Sequence, residues 1–154
     1  MAKRYIQGVN KVQGANDGVA PASGYIGEIQ TFTLSGQAFP TSGNNIDAIT
    51  FQLPVGTWDV FGNLAVQAGT TFTVASPNIV FCNIGTASAT FQAPINSGQL
   101  AAGTVSGGAL FLSTSLTRLV VTSAATNYYF VVRINYGSNT GGTVDYKVYA
   151  RRIA

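Results

Sequence analysis

Residues 53–66, Leu-Pro-Val-Gly-Thr-Trp-Asp-Val-Phe-Gly-Asn-Leu-Ala-Val, constrain this chain more than any other stretch. Pro54 and Gly56 mark a tight turn. From there Trp58, Val60, Gly62, Leu64 and Val66 fall on one side of an extended strand, and Thr57, Asp59, Phe61, Asn63 and Ala65 on the other. A period of two with one strongly apolar side predicts a strand buried on one face of an antiparallel sheet. Leu53, Pro54, Gly56, Trp58, Val60 and Gly62 are therefore expected to form a core signature. Trp58 is expected to pack beneath the sheet and Asp59 to bond locally.

The same pattern recurs along the chain. Strands are expected at residues 29–34, 48–53, 57–68, 71–74, 78–84, 87–92, 109–113, 117–123, 127–136 and 143–152. Gly-, Ser-, Asn- or Pro-containing breaks separate nearly all of them, including residues 40–45, 96–99 and 137–142. No window carries a 3.6-residue amphipathic pattern, and Gly is too frequent, at 18 residues, for helices. Short strands with turn signals about every ten residues predict an all-β chain, an antiparallel β-sandwich of jelly-roll or immunoglobulin-like type. The length of 154 residues suits one such domain. Residues 1–27 differ: they are rich in Gly, Asn, Gln and Ala without sustained period. They predict an extended basic arm, with a short strand at residues 4–9, ahead of a sandwich domain at 28–154.

Charge is scarce and uneven. Charged residues make up 8% of the chain, where about 25% is usual. Lys3, Arg4 and Lys11 lie at the start and Arg151 and Arg152 at the end, with no basic residue between Lys11 and Arg118. No apolar run approaches the ~20 residues of a membrane span, so no membrane partner is expected. The body instead offers Thr, Ser, Asn, Gln and Gly, which suits packing against copies of itself or neighbours without desolvating charge. The basic arm residues Lys3, Arg4 and Lys11, with Tyr5 and Ile6, are candidates for docking onto an acidic protein surface or a neighbour. The aromatics are not interleaved with basic residues, so no nucleic acid is expected as partner. The single cysteine, Cys82, sits in an apolar run and reads as a small buried hydrophobe. No signal peptide is visible, and assembly in a reducing cytoplasm is expected.

Two late strands carry large side chains on both faces. Tyr128, Phe130, Val132 and Ile134 oppose Tyr129, Val131 and Arg133; Val144, Tyr146, Val148 and Ala150 oppose Asp145, Lys147, Tyr149 and Arg151. A strand apolar on both faces must be covered on both, and in a two-layer sandwich the outer cover is expected from another subunit. Phe61, Tyr129, Tyr149, Arg151 and Arg152 are the candidate interface residues.

The inventory speaks against chemistry. There is no histidine, which removes the commonest general base and metal ligand. One cysteine cannot hold zinc. Asp17, Glu28, Asp47, Asp59 and Asp145 have no calcium-loop spacing, and Glu28 reads as a cap at the start of a strand. No enzyme, catalytic residue, metal or cofactor is expected.

Three elements together resemble small structural proteins of tailed bacteriophages. These are Gly-Tyr-Ile-Gly-Glu at 24–28, Leu-Pro-x-Gly-x-Trp-Asp-Val-x-Gly at 53–62, and an ending of Leu-Thr-Arg-Leu at 116–119, an aromatic strand at 128–134 and Ala-Arg-Arg-Ile at 150–153. The Leu-Pro-x-Gly-x-Trp element is also similar to trimeric jelly rolls of the C1q and tumour-necrosis-factor group. The resemblance implies a jelly-roll-like sandwich, a homo-oligomer with a trimer favoured, and a place in the virion. A capsid decoration (cement) protein bound to the major capsid protein or another virion protein is the leading expectation. A tail-fibre or spike head binding a host surface glycan is the alternative.

Overall fold

The computed structural model describes residues 23–67, 71–74, 80–91, 98–100, 104–105 and 109–154. The arm residues Lys3, Arg4, Tyr5, Ile6 and Lys11 lie outside them. The described residues form twelve strands: β1 (Ile29–Gln37), β2 (Asn45–Phe51), β3 (Gly56–Gln67), β4 (Thr71–Val74), β5 (Val80–Gly85), β6 (Gly98–Leu100), β7 (Thr104–Val105), β8 (Ala109–Ser113), β9 (Thr117–Val121), β10 (Tyr128–Ile134), β11 (Tyr136–Thr140) and β12 (Thr143–Arg152). The expected antiparallel β-sandwich is present. The first sheet runs β1-β12-β3-β8, with β9 also pairing β3; the second runs β2-β10-β5-β6; a small third sheet runs β11-β4-β7.

The alternation read at residues 57–66 is realised in β3. Trp58, Val60, Gly62, Leu64 and Val66 are buried, and the residues between them are half-buried. Opposite, β12 contributes Val144, Tyr146, Val148 and Ala150 to the same core. The second sheet meets them with Ile49, Phe51, Cys82, Ile84, Phe130, Val132 and Ile134. Gly62 lies at the centre of this contact: a β-carbon there would overlap the Phe130 ring. The indole of Trp58, cut off from water, donates from Nε1 to the Pro54 carbonyl at 2.9 Å, which satisfies its one polar atom.

Long β3 is paired on its far side by two short strands rather than one. β9 takes residues 56–60 and β8 takes residues 63–67. Between them Thr114 is buried. Its backbone N–H donates to the Gly62 carbonyl at 2.8 Å, and its Oγ1 accepts from the Gly62 N–H at 2.9 Å. One threonine thus satisfies both backbone groups that the break would orphan.

Three expectations need correction. Residues 87–91, expected as strand, form bends and a turn. The alternation there is of small residues, and the Asp47 carboxylate captures the segment by accepting from Ser88 Oγ at 2.5 Å and Ala89 N–H at 2.6 Å. Ala89 is held at φ +47°, a region an L-residue enters only when its surroundings enforce it. Residues 137–142, expected as a break, are mostly strand: β11 pairs β4, and the turn shrinks to Gly141 and Gly142. A ladder partner overrode weak β-propensity there.

The third correction concerns cover. At Val131 the outer face of β10 is covered within the chain rather than left for another subunit, while Tyr129 on the same face stays half-buried. Val131 is fully buried, beside Asp47 and Asn83 in register. A register shift between Phe130 and Val131 brings Asp47, rather than Ala48, opposite Val131; Ala48 is itself buried. Asp47 then fastens the Ser88–Ala89 turn over this face. Further along, the Arg133 guanidinium lies 4.8 Å from the Phe81 ring centroid and 5.5 Å from that of Phe91. The chain covers this part of the sheet with its own turn.

Candidate interaction surface

The first sheet has an outer face without such a cover among the described residues. The register sets its rows. Ile29, Arg151, Asp59 and Arg118 form one row across β1, β12, β3 and β9. Thr31, Tyr149 and Phe61 form the next, and Thr33, Lys147, Asn63 and Ser113 the third. Asp145, Ala65 and Phe111 follow.

At the centre, the Phe61 and Tyr149 rings stack at 5.0 Å and 18°, a cross-strand aromatic pair. Lys147 Nζ lies 4.6 Å from the Tyr149 centroid. Asp59 takes a two-pronged contact from Arg118, with Nε–H donating to Oδ1 at 3.0 Å and Nη2–H to Oδ2 at 3.4 Å. The hydrogen bond to Asp59, and then the Asp59 charge, raise the pKa of Arg118. Asp59 thus bonds a residue distant in sequence, which corrects the expectation of a local partner. Around the stack, Ile29, Phe111 and Val120 are 57%, 72% and 67% exposed. Large apolar side chains this exposed on one face make it a candidate association surface. Phe111 and Val120 were not singled out in the sequence; each alternates with apolar neighbours, which is the signal for a strand apolar on both sides.

The remaining candidates separate. Arg151 is exposed on this face. Tyr129 lies half-buried on the second sheet, remote in topology from Phe61 and Tyr149. Arg152 is engaged within its own chain. Its side chain is 11% exposed, its Nε is 3.2 Å from Glu28 Oε2, and its guanidinium carbon is 4.9 Å from the Trp58 centroid. The Nε–H is not aimed at the carboxylate, so this contact is an ion pair rather than a hydrogen bond. Burial pushes the Glu28 carboxyl up, but hydrogen bonds from Gln30, Gly24 and Ser23 and the Arg152 charge outweigh it, and its pKa falls below 4.5.

This clasp fixes both ends of the sandwich. Gly24 N–H donates to Glu28 Oε2 at 2.7 Å. The Arg152 N–H donates to the Glu28 carbonyl at 2.9 Å, and the Thr57 N–H to the Ala154 carbonyl at 2.7 Å. Gly56, at φ +150°, passes so close beneath that a β-carbon would lie 2.8 Å from the Ala154 oxygen. The core signature is therefore tied to the chain ending as well as to the core.

The acids found here serve structure. Asp145 accepts from Gly36 N–H at 2.7 Å; Asp47, Asp59 and Glu28 are engaged as above. No cluster of three or more potential metal ligands occurs among the described residues.

No protein-family model and no curated protein matches the chain. Among solved structures, a chain described as "Cyanophage Pam1 capsid asymmetric unit" is similar, at 20% identity over 96% of this chain and 99% of that one, with a TM-score of 0.37. At that identity and TM-score the likeness does not carry that chain's fold or role over to this one.

Proposed function

We propose that this protein is a bacteriophage virion structural protein, a capsid decoration protein that self-associates through the outer face of its first sheet. The observation that carries the reading is the contrast between the two sheets. The chain covers part of one outer face with its own turn, and among the described residues the other carries a central aromatic pair and three exposed apolar side chains. The open face carries both signs of charge, Asp59 and Asp145 beside Lys147, Arg118 and Arg151, so a second copy can complement it. With β12 ten residues long, a face four strands wide spans roughly 650 Å², close to the ~800 Å² per partner of a standard interface.

The sequence resemblance supplies the virion setting and favours a trimer. The strand order, with β1 beside β12 and β2 beside β10, supports the finer reading as a jelly roll. The arm at residues 1–27, with Lys3, Arg4, Tyr5, Ile6 and Lys11, would dock the body to the shell or to a neighbour. The function is architectural, without catalysis.

Imaging intact particles of the encoding phage tests the reading. Density for this chain on the shell supports decoration. Density confined to a tail tip would favour the glycan-binding fibre alternative, and absence from the particle would overturn both.

A further inference from the structure

β1 is an edge strand: β12 pairs one side of it, and no described strand pairs the other. In an antiparallel ladder, alternate residues turn their backbone groups to alternate neighbours. Arg152 N–H donates to the Glu28 carbonyl, and the register continues Ile29↔Arg151, Gln30↔Ala150, Thr31↔Tyr149. Glu28, Gln30 and Phe32 therefore face β12, while the N–H and C=O of Ile29, Thr31 and Thr33 point to the free edge. Residues 29–33 contain no charge and no proline, the usual devices that blunt an edge. Beyond them the edge closes. The register shifts between Leu34 and Gln37, Asp145 takes the Gly36 N–H, and Gln37 Nε2–H donates to the Ser35 carbonyl. The open stretch has the length of one short strand.

We infer that this edge takes a strand from residues 4–9 of a neighbouring copy of the same chain. The inference rests on the self-association proposed above. Ahead of Ser23 lie 22 residues, enough to reach roughly 70 Å when extended. Residues 4–9 carry the strand pattern there, and Lys3 and Lys11 flank it. The chain enters β1 from the β12 side: Gly27 N–H donates to the Arg152 carbonyl at 2.8 Å, and Gly24 N–H is bonded to the Glu28 carboxylate. Self-association through the outer face of the sheet that holds β1 brings a neighbour's β1 edge within the reach of these residues. Main-chain pairing at an edge supplies affinity without side-chain charge, which suits a strand built of Ile, Gln, Thr and Phe.

Disulfide capture in the full chain tests this. Thr31→Cys protein is mixed with a size-tagged partner in which Tyr5, Ile6, Gln7, Gly8 or Val9 is replaced in turn by Cys; buried Cys82 stays in place. After mild oxidation, mixed pairs are expected at the summed mass of the 16.0 kDa chain and its tagged partner, with efficiency alternating every second residue along the arm. Thr31→Cys coupling mainly to itself would mean edge-to-edge pairing and overturn the inference. Coupling only when both cysteines share one chain would overturn it too, as would uniform or absent coupling. Light scattering on the same mixtures separates the two readings. An oligomer without capture removes strand exchange alone, whereas a monomer removes self-association as well.

Discussion

The ring of Phe130 occupies the space in which residue 62 would carry a β-carbon. Phe130 is fully buried in the second sheet and Gly62 is at the middle of β3 in the first, so this contact sets how closely the two layers approach. Gly62→Ala is expected to destabilise the fold by about 1–3 kcal/mol. Urea unfolding followed by fluorescence of the single Trp58 measures it; an unchanged midpoint would show that the layers can part freely.

Arg152→Ala removes the cation beside a buried carboxylate and the guanidinium over Trp58. Leaving one charge of a buried pair alone costs about 3 kcal/mol, and Arg152→Lys should restore part of it. The pH dependence has a definite sign. The folded pKa of Glu28 is below 4.5, so its contribution is present above pH 4.5 and lost as pH falls through the folded value. Glu28→Gln should flatten that acid limb of the stability curve, measured by unfolding between pH 6 and about 2.5.

Tyr146 Oη is buried without a hydrogen-bond partner, and burial pushes its pKa up to about 12. Removing an unsatisfied hydroxyl is neutral or stabilising by up to about 1 kcal/mol, so Tyr146→Phe should unfold no earlier than the parent. Since the folded pKa is raised from 10.0 to about 12, stability is complete below pH 10 and lost as pH rises through 12. The Phe variant should lose less stability over that range, as chemical denaturation at pH 9, 10 and 11 would report.

Phe61→Glu places a charge in the aromatic pair on the open face. The oligomer is expected to dissociate before the domain unfolds. Phe111→Asp is the companion variant, because a side chain 72% exposed contributes little to folding. Multi-angle light scattering gives the mass and circular dichroism the fold; folded variants that keep the parental mass would exclude this face as the interface.

Asp47→Ala releases both hydrogen bonds that hold the turn at Ser88 and Ala89, at a cost of about 1–2 kcal/mol. Limited proteolysis should then cut within residues 86–91, a site resistant in the parent. Uncut variant protein would mean that Phe91 and Arg133 suffice to hold the turn.

Legibility varied with the range of the interactions involved. β3 and β12 were readable almost to the residue, because alternation of large apolar and polar side chains reports directly which face of a strand is buried. Residues 87–91 misled because their alternation is of small residues and an aspartate on β2 decides their shape. β11 was hidden because Gly, Ser and Asn look like loop until β4 is placed beside them. Arg152 was expected at a subunit interface, and its enclosure by Glu28 and Trp58 within the chain was not legible because both partners are far away in sequence.

The chain by itself determined the all-β class, the buried face of each long strand, the lack of histidine chemistry and the concentration of positive charge near its ends. All of these follow from side-chain identity and a period of two. Tertiary structure alone decided where the described residues cover an outer face. β10 and β12 both carry large residues on both sides, but a register shift opposite β10 aims Asp47 at a turn that covers it, while β12 receives no such cover among the described residues. Periodicity records the direction in which each side chain points; what it meets there depends on register between strands far apart in sequence.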